Sequence, residues 1–435
     1  MKKLLILLVL AATVLSLGAC RNADDAGGIV EVTIPHYKTG DNVGALYFLP
    51  IVERFNERYE GRFRLNIEPM PQHLYAEQIR LLAGTPAMPV LIEGGLDDVW
   101  FRDVIIPNNM FVDLRPFFRT HEIYRYFNQQ NYQHNLTADG RLITVPHPIQ
   151  RPMTMYYNEA LWQPSRPIAQ LSWRDVTAEL GDNRVAFMTA ENAWTTMLAL
   201  SSMIAAEPGG ADIVRNAVAT QTRIRDFNQP PLVAAFATLQ HVFANHAQPG
   251  AIGAPFAEAA NAFFNLNAAI ICNGPWMVGD FRYPDGAHNW GPGFDHNTVR
   301  MSVLPGNVAL QNPLGFNWWI PATASEAEQE LALHFLGFMF SHAEMEFTMA
   351  VAGGVIPGFQ HSADFLRERA EDRLMDEYAA SIDANTIIMP AFWDAVYSSI
   401  ADRDFGTLLP QLVDGTLTPQ QFADELTRLT LEAVS

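Results

Sequence analysis

The sequence predicts an α/β protein of two lobes, each a mostly parallel sheet flanked by helices. Three observations carry this expectation. Apolar residues near the start switch between period two and helical spacing in strand–helix order; the same signals return beyond residue 185; and 435 residues exceed what one core usually holds, yet no linker separates two halves. Lobes joined by several crossings of the chain satisfy all three.

Residues 30–36 alternate apolar and polar, which reads as a strand. Leu46, Leu49, Val52, Phe55 and Tyr59 then recur at helical spacing, giving a helix over 46–59. A strand over 63–68, a helix over 74–83 and a strand over 90–92 running into Glu93-Gly94-Gly95 complete a β-α-β-α-β order. Helical crossovers of this kind make neighbouring strands parallel and cover both faces of the sheet. Further on, Val185-Ala186-Phe187-Met188 reads as a buried strand, 194–206 as a helix and 268–272 as another strand. Fixed-period repeats, low-complexity blocks and heptad runs are absent from the sequence. Cys272 falls in the last strand with no electropositive neighbour, so it reads as a buried structural thiol.

The chain begins with Lys2 and Lys3, an apolar run over 4–17, and Leu17-Gly18-Ala19-Cys20. A basic start followed by an apolar stretch too short to span a bilayer comfortably reads as a secretory signal ending at small residues. A cysteine directly after those residues resembles the bacterial lipobox. On that reading 1–19 is a lipoprotein signal peptide and Cys20 carries lipid. Residues 20–27 are then a polar tether, and the body is extracytoplasmic, anchored at the periplasmic face or the cell surface. The alternative is a secreted protein with an incidental cysteine.

The chain is 49% hydrophobic and 17% charged, with 28 Lys and Arg against 47 Asp and Glu, a formal net charge of −19. Such charge argues against nucleic acid and against a basic membrane-surface patch. No second apolar run is long enough for a spanning helix. Lys38 is the only lysine beyond Lys3 and receives no functional assignment at this stage. With Cys20 engaged, Cys272 is left alone, and a single thiol builds neither a disulfide nor a cysteine metal site.

Several segments carry a family resemblance. Thr144-Val145-Pro146-His147-Pro148 and Met155-Tyr156-Tyr157-Asn158-Glu159-Ala160-Leu161 are similar to the first crossing segment of the extracellular solute-binding proteins that feed ABC importers. Ile271-Cys272-Asn273-Gly274-Pro275-Trp276 resembles the strand-turn-helix of the carbohydrate-binding, maltose-binding-protein-like branch. Residues 301–305, Leu314-Gly315-Phe316, a helix over 327–340, Gly353-Gly354-Val355-Ile356-Pro357, the stretch from Met389 through Trp393 to Val396, and a last helix over 418–430 continue the pattern. The resemblance covers the chain from about residue 30 to its end. It departs from the family where a lysine customarily stands between Asn158 and an acid. It also departs at Val355 and Trp393, which occupy the tyrosine and arginine positions of glycerol-phosphate-binding relatives and so favour a sugar over a phosphoester.

The resemblance implies a two-lobed, periplasmic-binding-protein-like fold with the ligand in a cleft between lobes that close on a hinge. Lobe one would be 28–153 with 308–350, and lobe two 154–307 with 351–435. It implies the substrate-binding component of an ABC sugar importer, a monomer without cofactor, metal or catalytic activity, that captures a mono- or oligosaccharide and delivers it to a membrane permease. The alternatives are a binder of glycerol phosphate or another small polar solute, and a secreted glycoside hydrolase. A hydrolase needs two facing carboxylates about 5 to 10 Å apart, and the sequence nominates no pair. His288, Asp295 and His296 lie in a Gly/Pro-rich stretch and read as loop rather than metal site.

Sugar rings present apolar C–H faces with a hydroxyl rim, so flat aromatics and planar polar groups are expected to hold them. The resemblance places Trp276 and Trp393 at positions that stack on sugar, with Asn273 beside them and one of Trp318 and Trp319 as a further wall, since adjacent strand residues point opposite ways. Trp194 is left open between ligand and core. His36 and Tyr37 end the first strand, and Glu93 and Gly94 end the third; each is expected at the ligand. Gln150 and Arg151 precede the crossing. Arg151 there either grips a carboxylate or hydroxyls, or forms a salt bridge across the hinge.

Overall fold

The computed structural model describes residues 28–433 apart from 41, 43, 95–100, 128–131, 133–134, 146–147, 221, 282–289, 312–316, 357 and 370–372. The signal segment, Cys20 and the tether lie outside the described residues, as do Gly95, Trp100, Pro146, His147, His288, Leu314-Gly315-Phe316 and Pro357.

Strand β1 (Val30–His36) pairs in parallel with β2 (Phe63–Pro69) along its whole length. The helices Ala45–Arg58 and Gln72–Leu82 follow them, each within two residues of the expected position. The third strand, β3, is short (Ile92–Glu93) and pairs antiparallel with β9 (Trp318–Trp319), a segment returning from far along the chain. One core gathers Ile34, Phe48, Phe55, Leu91, Phe118, Trp318, Phe335 and Phe340 around these elements.

The second sheet runs in the order β10-β8-β4-β6-β5, with β7 also beside β4. Here β4 is Pro152–Asn158, β5 Val185–Ala186, β6 Ile270–Asn273, β7 Val299–Ser302, β8 Val308–Gln311 and β10 Ile387–Met389. Both faces are covered, and alternation divides the side chains between them. Met155, Ile270 and Cys272 enter one core with Phe187, Leu200, Phe236 and Phe405, while Tyr156 and Ile271 enter another with Phe263, Phe281 and Met301. The helix Trp194–Ala206 occupies the expected residues and is buried along nearly all its length, consistent with a helix apolar all round.

Two expectations need correction. The second sheet is mixed, because β4 runs antiparallel to β6, β7 and β8. β4 enters directly from the crossing rather than through a helical crossover, so nothing forces it parallel. The lobe boundaries also move. β8 belongs to the second sheet, although 308–311 was expected in lobe one. Ala352, Ile356, Phe359 and Phe365 pack in the first core, although 351–365 was expected in lobe two.

The chain passes from the first core at Ile149 to the second sheet at Pro152; Gln311 lies in the second sheet and Trp318 in the first core, and Phe365 lies in the first core and Leu374 in a core of the second sheet. At the first passage Gln150 exchanges both backbone bonds with Val355, 2.7 and 2.9 Å. Gly353 and Gly354 have φ of 64° and 98°, and a Cβ on Gly354 would lie 2.5 Å from Ile149 Cγ2 and 2.8 Å from the Gln150 carbonyl oxygen. Only glycine lets residues 353–355 lie so close against the first passage.

Candidate ligand-binding cleft

Between the lobes lies a cleft of about 490 Å³. Its walls are the segments that leave the carboxyl ends of strands: Tyr37 to Tyr47 after β1, Pro69 to His73 after β2, Met188 to Trp194 after β5, and Asn273 to Trp276 after β6. Loops at that end of an α/β sheet are where ligands meet the fold, because backbone groups and variable side chains converge there. Pro255 to Ala257, Trp393 and Arg151 complete the wall.

Three half-buried indoles share the lobe-two side. Trp194 lies 6.1 Å from Trp276 at 35° and 5.2 Å from Trp393 at 80°, ring centroid to centroid. Trp276 is placed by the turn before it. Tyr156 donates its hydroxyl to the Gly274 carbonyl at 2.9 Å, and a Cβ on Gly274 would fall 2.2 Å from the Trp276 ring. The Asn-Gly-Pro-Trp sequence therefore folds the indole back over its own turn. Trp393 sits in the turn Phe392–Ala395, which the Phe392 amide ties to Ser201 Oγ of the buried helix at 2.8 Å. Trp194 follows a loop in which Glu191 and Ala193 hold φ of 56° and 50°. Left-handed non-glycine residues store strain, which tends to gather at ligand sites.

The lobe-one wall rests on a buried ionic cluster. Lys38 Nζ lies 2.5 Å from Glu93 Oε1, and Tyr37 donates its hydroxyl to Glu93 Oε2 at 3.0 Å. His36 Nε2 faces the same oxygen at 3.0 Å, while its Nδ1 accepts the Lys38 amide at 3.0 Å. Burial acts to raise the Glu93 carboxyl, but the Lys38 ammonium and the His36 contact outweigh it and hold the group well below the usual carboxylate range. Burial lowers His36 in turn, leaving it neutral near pH 7. The ammonium also lies 5.3 Å from the centre of the Tyr47 ring.

Of the nominated residues, Tyr37, Arg151, Asn273, Trp276 and Trp393 line the cleft. The others do not. His36 is fully buried and stacks on Phe48 and Trp318 at 4.4 and 5.2 Å. Glu93 is spent on Lys38 and Tyr37, so it supports the wall instead of accepting ligand hydroxyls. The Gly94 carbonyl accepts Trp319 Nε1 at 2.9 Å, and Gln150 serves the hinge through its backbone. Trp318 and Trp319 do point opposite ways, but strands and helices cover both faces of β9, so both are core. Sequence reasoning missed Tyr47, which sits in the first turn of a helix read for its apolar stripe. Lys38, Asn42, Gln72 and Asn192 were missed as well, all polar positions just beyond strand ends or in the loops they open. Cys272 is buried as expected, and burial pushes its thiol well above the ordinary value.

Among the described residues no group of three His, Cys, Asp or Glu could hold a metal ion, and no helix is long and apolar enough to cross a membrane.

Two α/β lobes around a cleft walled by strand-end loops define a two-lobed solute-binding protein. The chain belongs to the bacterial extracellular solute-binding protein family, whose model matches residues 50–381. Among solved structures it is similar to a chitin oligosaccharide binding protein, with TM-score 0.70 and 16% identity over 93% of this chain and 99% of that one. It is also similar to an ABC substrate-binding protein from Listeria monocytogenes in complex with cycloalternan, with TM-score 0.68 and 15% identity over 93% and 99%. A third is an ABC transporter solute-binding protein from Thermotoga lettingae bound with alpha-D-tagatose, with TM-score 0.69 and 13% identity over 93% and 100%. At these identities the likeness is one of fold. No curated protein sequence matches the chain.

Proposed function

We propose that the chain is the substrate-binding component of an ABC importer for a mono- or oligosaccharide, closing its lobes over the ligand and delivering it to a membrane permease. The observation that carries this reading is the indole group of Trp194, Trp276 and Trp393 facing Tyr37 and Tyr47 across a cleft edged with Asn42, Gln72, Asn192 and Asn273. Aromatic faces suit the C–H faces of a sugar, and amides donate to and accept from its hydroxyl rim. The three solved relatives named above carry oligosaccharide or sugar ligands in their descriptions, which supports the same class. Glu191 is the one carboxylate lining the cleft among the described residues, so a facing pair for glycoside hydrolysis is not assembled there. The body is a monomer, held at the membrane by lipid on Cys20, with its lobes divided near residues 151, 312–317 and 366–373.

A thermal-shift screen of the chain from residue 21 onward against neutral sugars, uronic acids, glycerol phosphates, polyamines and peptides tests the reading. A sugar at a hundredfold excess over its dissociation constant adds about 2.7 kcal/mol to stability and raises the melting point. Trp276→Ala and Trp393→Ala each weaken that sugar roughly tenfold, the worth of a stacked aromatic. A shift with another solute class and none with any saccharide sinks the sugar assignment.

A further inference from the structure

We propose that the captured saccharide carries a carboxylate and that Arg151 holds it. This rests on the sugar reading above and names the ligand class within it.

Arg151 is fixed at the mouth of the first passage, between the backbone pairing of Gln150 with Val355 and the start of β4. Its guanidinium carbon lies 5.0 Å from the centre of the Tyr47 ring, which orients the planar head within the cleft. Nε and Nη2 are both buried and have no hydrogen-bond partner. These atoms form one edge of the guanidinium, with N–H bonds that point the same way and match the two oxygens of a carboxylate. The chain uses that edge so elsewhere. Arg54 grips Glu344 through Nε at 2.9 Å and Nη2 at 2.5 Å. Arg80 grips Glu77 at 3.0 and 2.5 Å, and Arg428 engages both oxygens of Glu425 through the same two atoms.

Charge in the cleft points the same way. Lys38 is matched by Glu93, and Glu191 is solvent-exposed on the opposite lobe. Arg151 therefore contributes a cation that no carboxylate of the described chain neutralises. Asn273 adds a buried Nδ2 without a partner, since its Oδ1 is taken by the Gly274 amide at 2.8 Å. Both groups are donors, so the ligand must bring acceptors, and a carboxylate alone brings two coplanar acceptors and the counter-charge together. A vicinal diol can meet the fork but leaves the charge buried and uncompensated, which is costly. The chain's net charge of −19 does not forbid an acidic ligand. Screening limits that field to roughly 8 Å at physiological salt, and Arg151 acts at contact.

The test is isothermal titration calorimetry with disaccharides and trisaccharides of galacturonate and glucuronate, their methyl esters, the neutral parent sugars, and sulfated disaccharides, against the wild-type chain, Arg151→Gln and Arg151→Lys. Methyl esters keep every ring hydroxyl and replace the charged, two-oxygen acceptor by a neutral ester with one added methyl group. The expected result is an acid bound on the order of 100-fold more tightly than its own ester. That preference disappears in Arg151→Gln, whose ligand-free melting point stays near wild type, and it is only partly kept by Arg151→Lys, which has charge but no fork. Equal affinity for acid and ester, or a preference that survives Arg151→Gln, overturns the proposal while leaving the sugar reading intact. Preference for a sulfated sugar over every uronate overturns the carboxylate assignment. Binding of no saccharide at all overturns both readings.

Discussion

Lys38 and Glu93 are both more than nine-tenths buried and face each other as an ion pair. Removing one partner of such a pair costs about 3–5 kcal/mol, because the remaining charge stays buried. Lys38→Met is therefore expected to destabilise the protein by that order in urea titrations at pH 7. The pH dependence carries a sharper signature. In the wild type the folded Glu93 carboxyl lies below its ordinary value of 4.5, so its stabilisation is complete above that value and is lost as pH falls towards the folded pKa. In Lys38→Met the largest contribution opposing burial is gone and the His36 contact alone remains against it, so the folded carboxyl moves up and the loss of stability on acidification shrinks. Parallel loss of stability on acidification in both proteins would disprove the pairing. At this scale the sequence is only half legible. Asn273, Trp276 and Trp393 could be nominated because the segments that carry them, Asn-Gly-Pro-Trp and Phe-Trp-Asp, resemble the family's pattern. His36 and Tyr37 are neighbours at a strand end, and one of them enters the core while the other lines the cleft. Their facing depends on a one-residue register that only the packed Phe48 and Trp318 decide.

Helices and strands were read more securely than their pairing. Apolar spacing located Ala45–Arg58 and Trp194–Ala206 to within a residue, since each buries a stripe or its whole circumference, and the family resemblance located Glu326–Met339 as closely. β9 was invisible as a pairing element: two tryptophans carry no alternation, and their partners Ile92 and Glu93 lie more than 200 residues away. The hinge is the element whose chemistry predicts most. Alanine at Gly354 meets Ile149 and the Gln150 carbonyl oxygen at forbidden distances, whereas Gly358, with φ of 75°, faces open space. Gly358→Ala is expected to cost only the left-handed backbone penalty, roughly 1–2 kcal/mol. Gly354→Ala should cost more than that in chemical denaturation and should also weaken ligand binding, because it pushes against the first passage beside Arg151. Equal costs for the two substitutions would show that the close approach is not essential.

Taken whole, the molecule is two separately cored bodies that share three short passages and one tryptophan. Trp276 packs against the margins of the cores on both sides of the cleft. Two rigid bodies on such a joint are expected to close when contacts from both walls become available at once. Small-angle scattering should show the radius of gyration falling on saturation with the ligand found in the screen. An unchanged curve at saturation would mean that the cleft binds without closing. The described body also holds its only ε-amine, that of Lys38, inside the cleft wall, while its other permanently cationic side chains are arginines. Acylating reagents that attack lysine will therefore find no surface target on it, and Lys38 can react only when the Glu93 contact opens. The slow appearance of that one adduct is a natural stopwatch: its rate reports how often the cleft wall loosens, and a ligand that seals the wall should stop the clock.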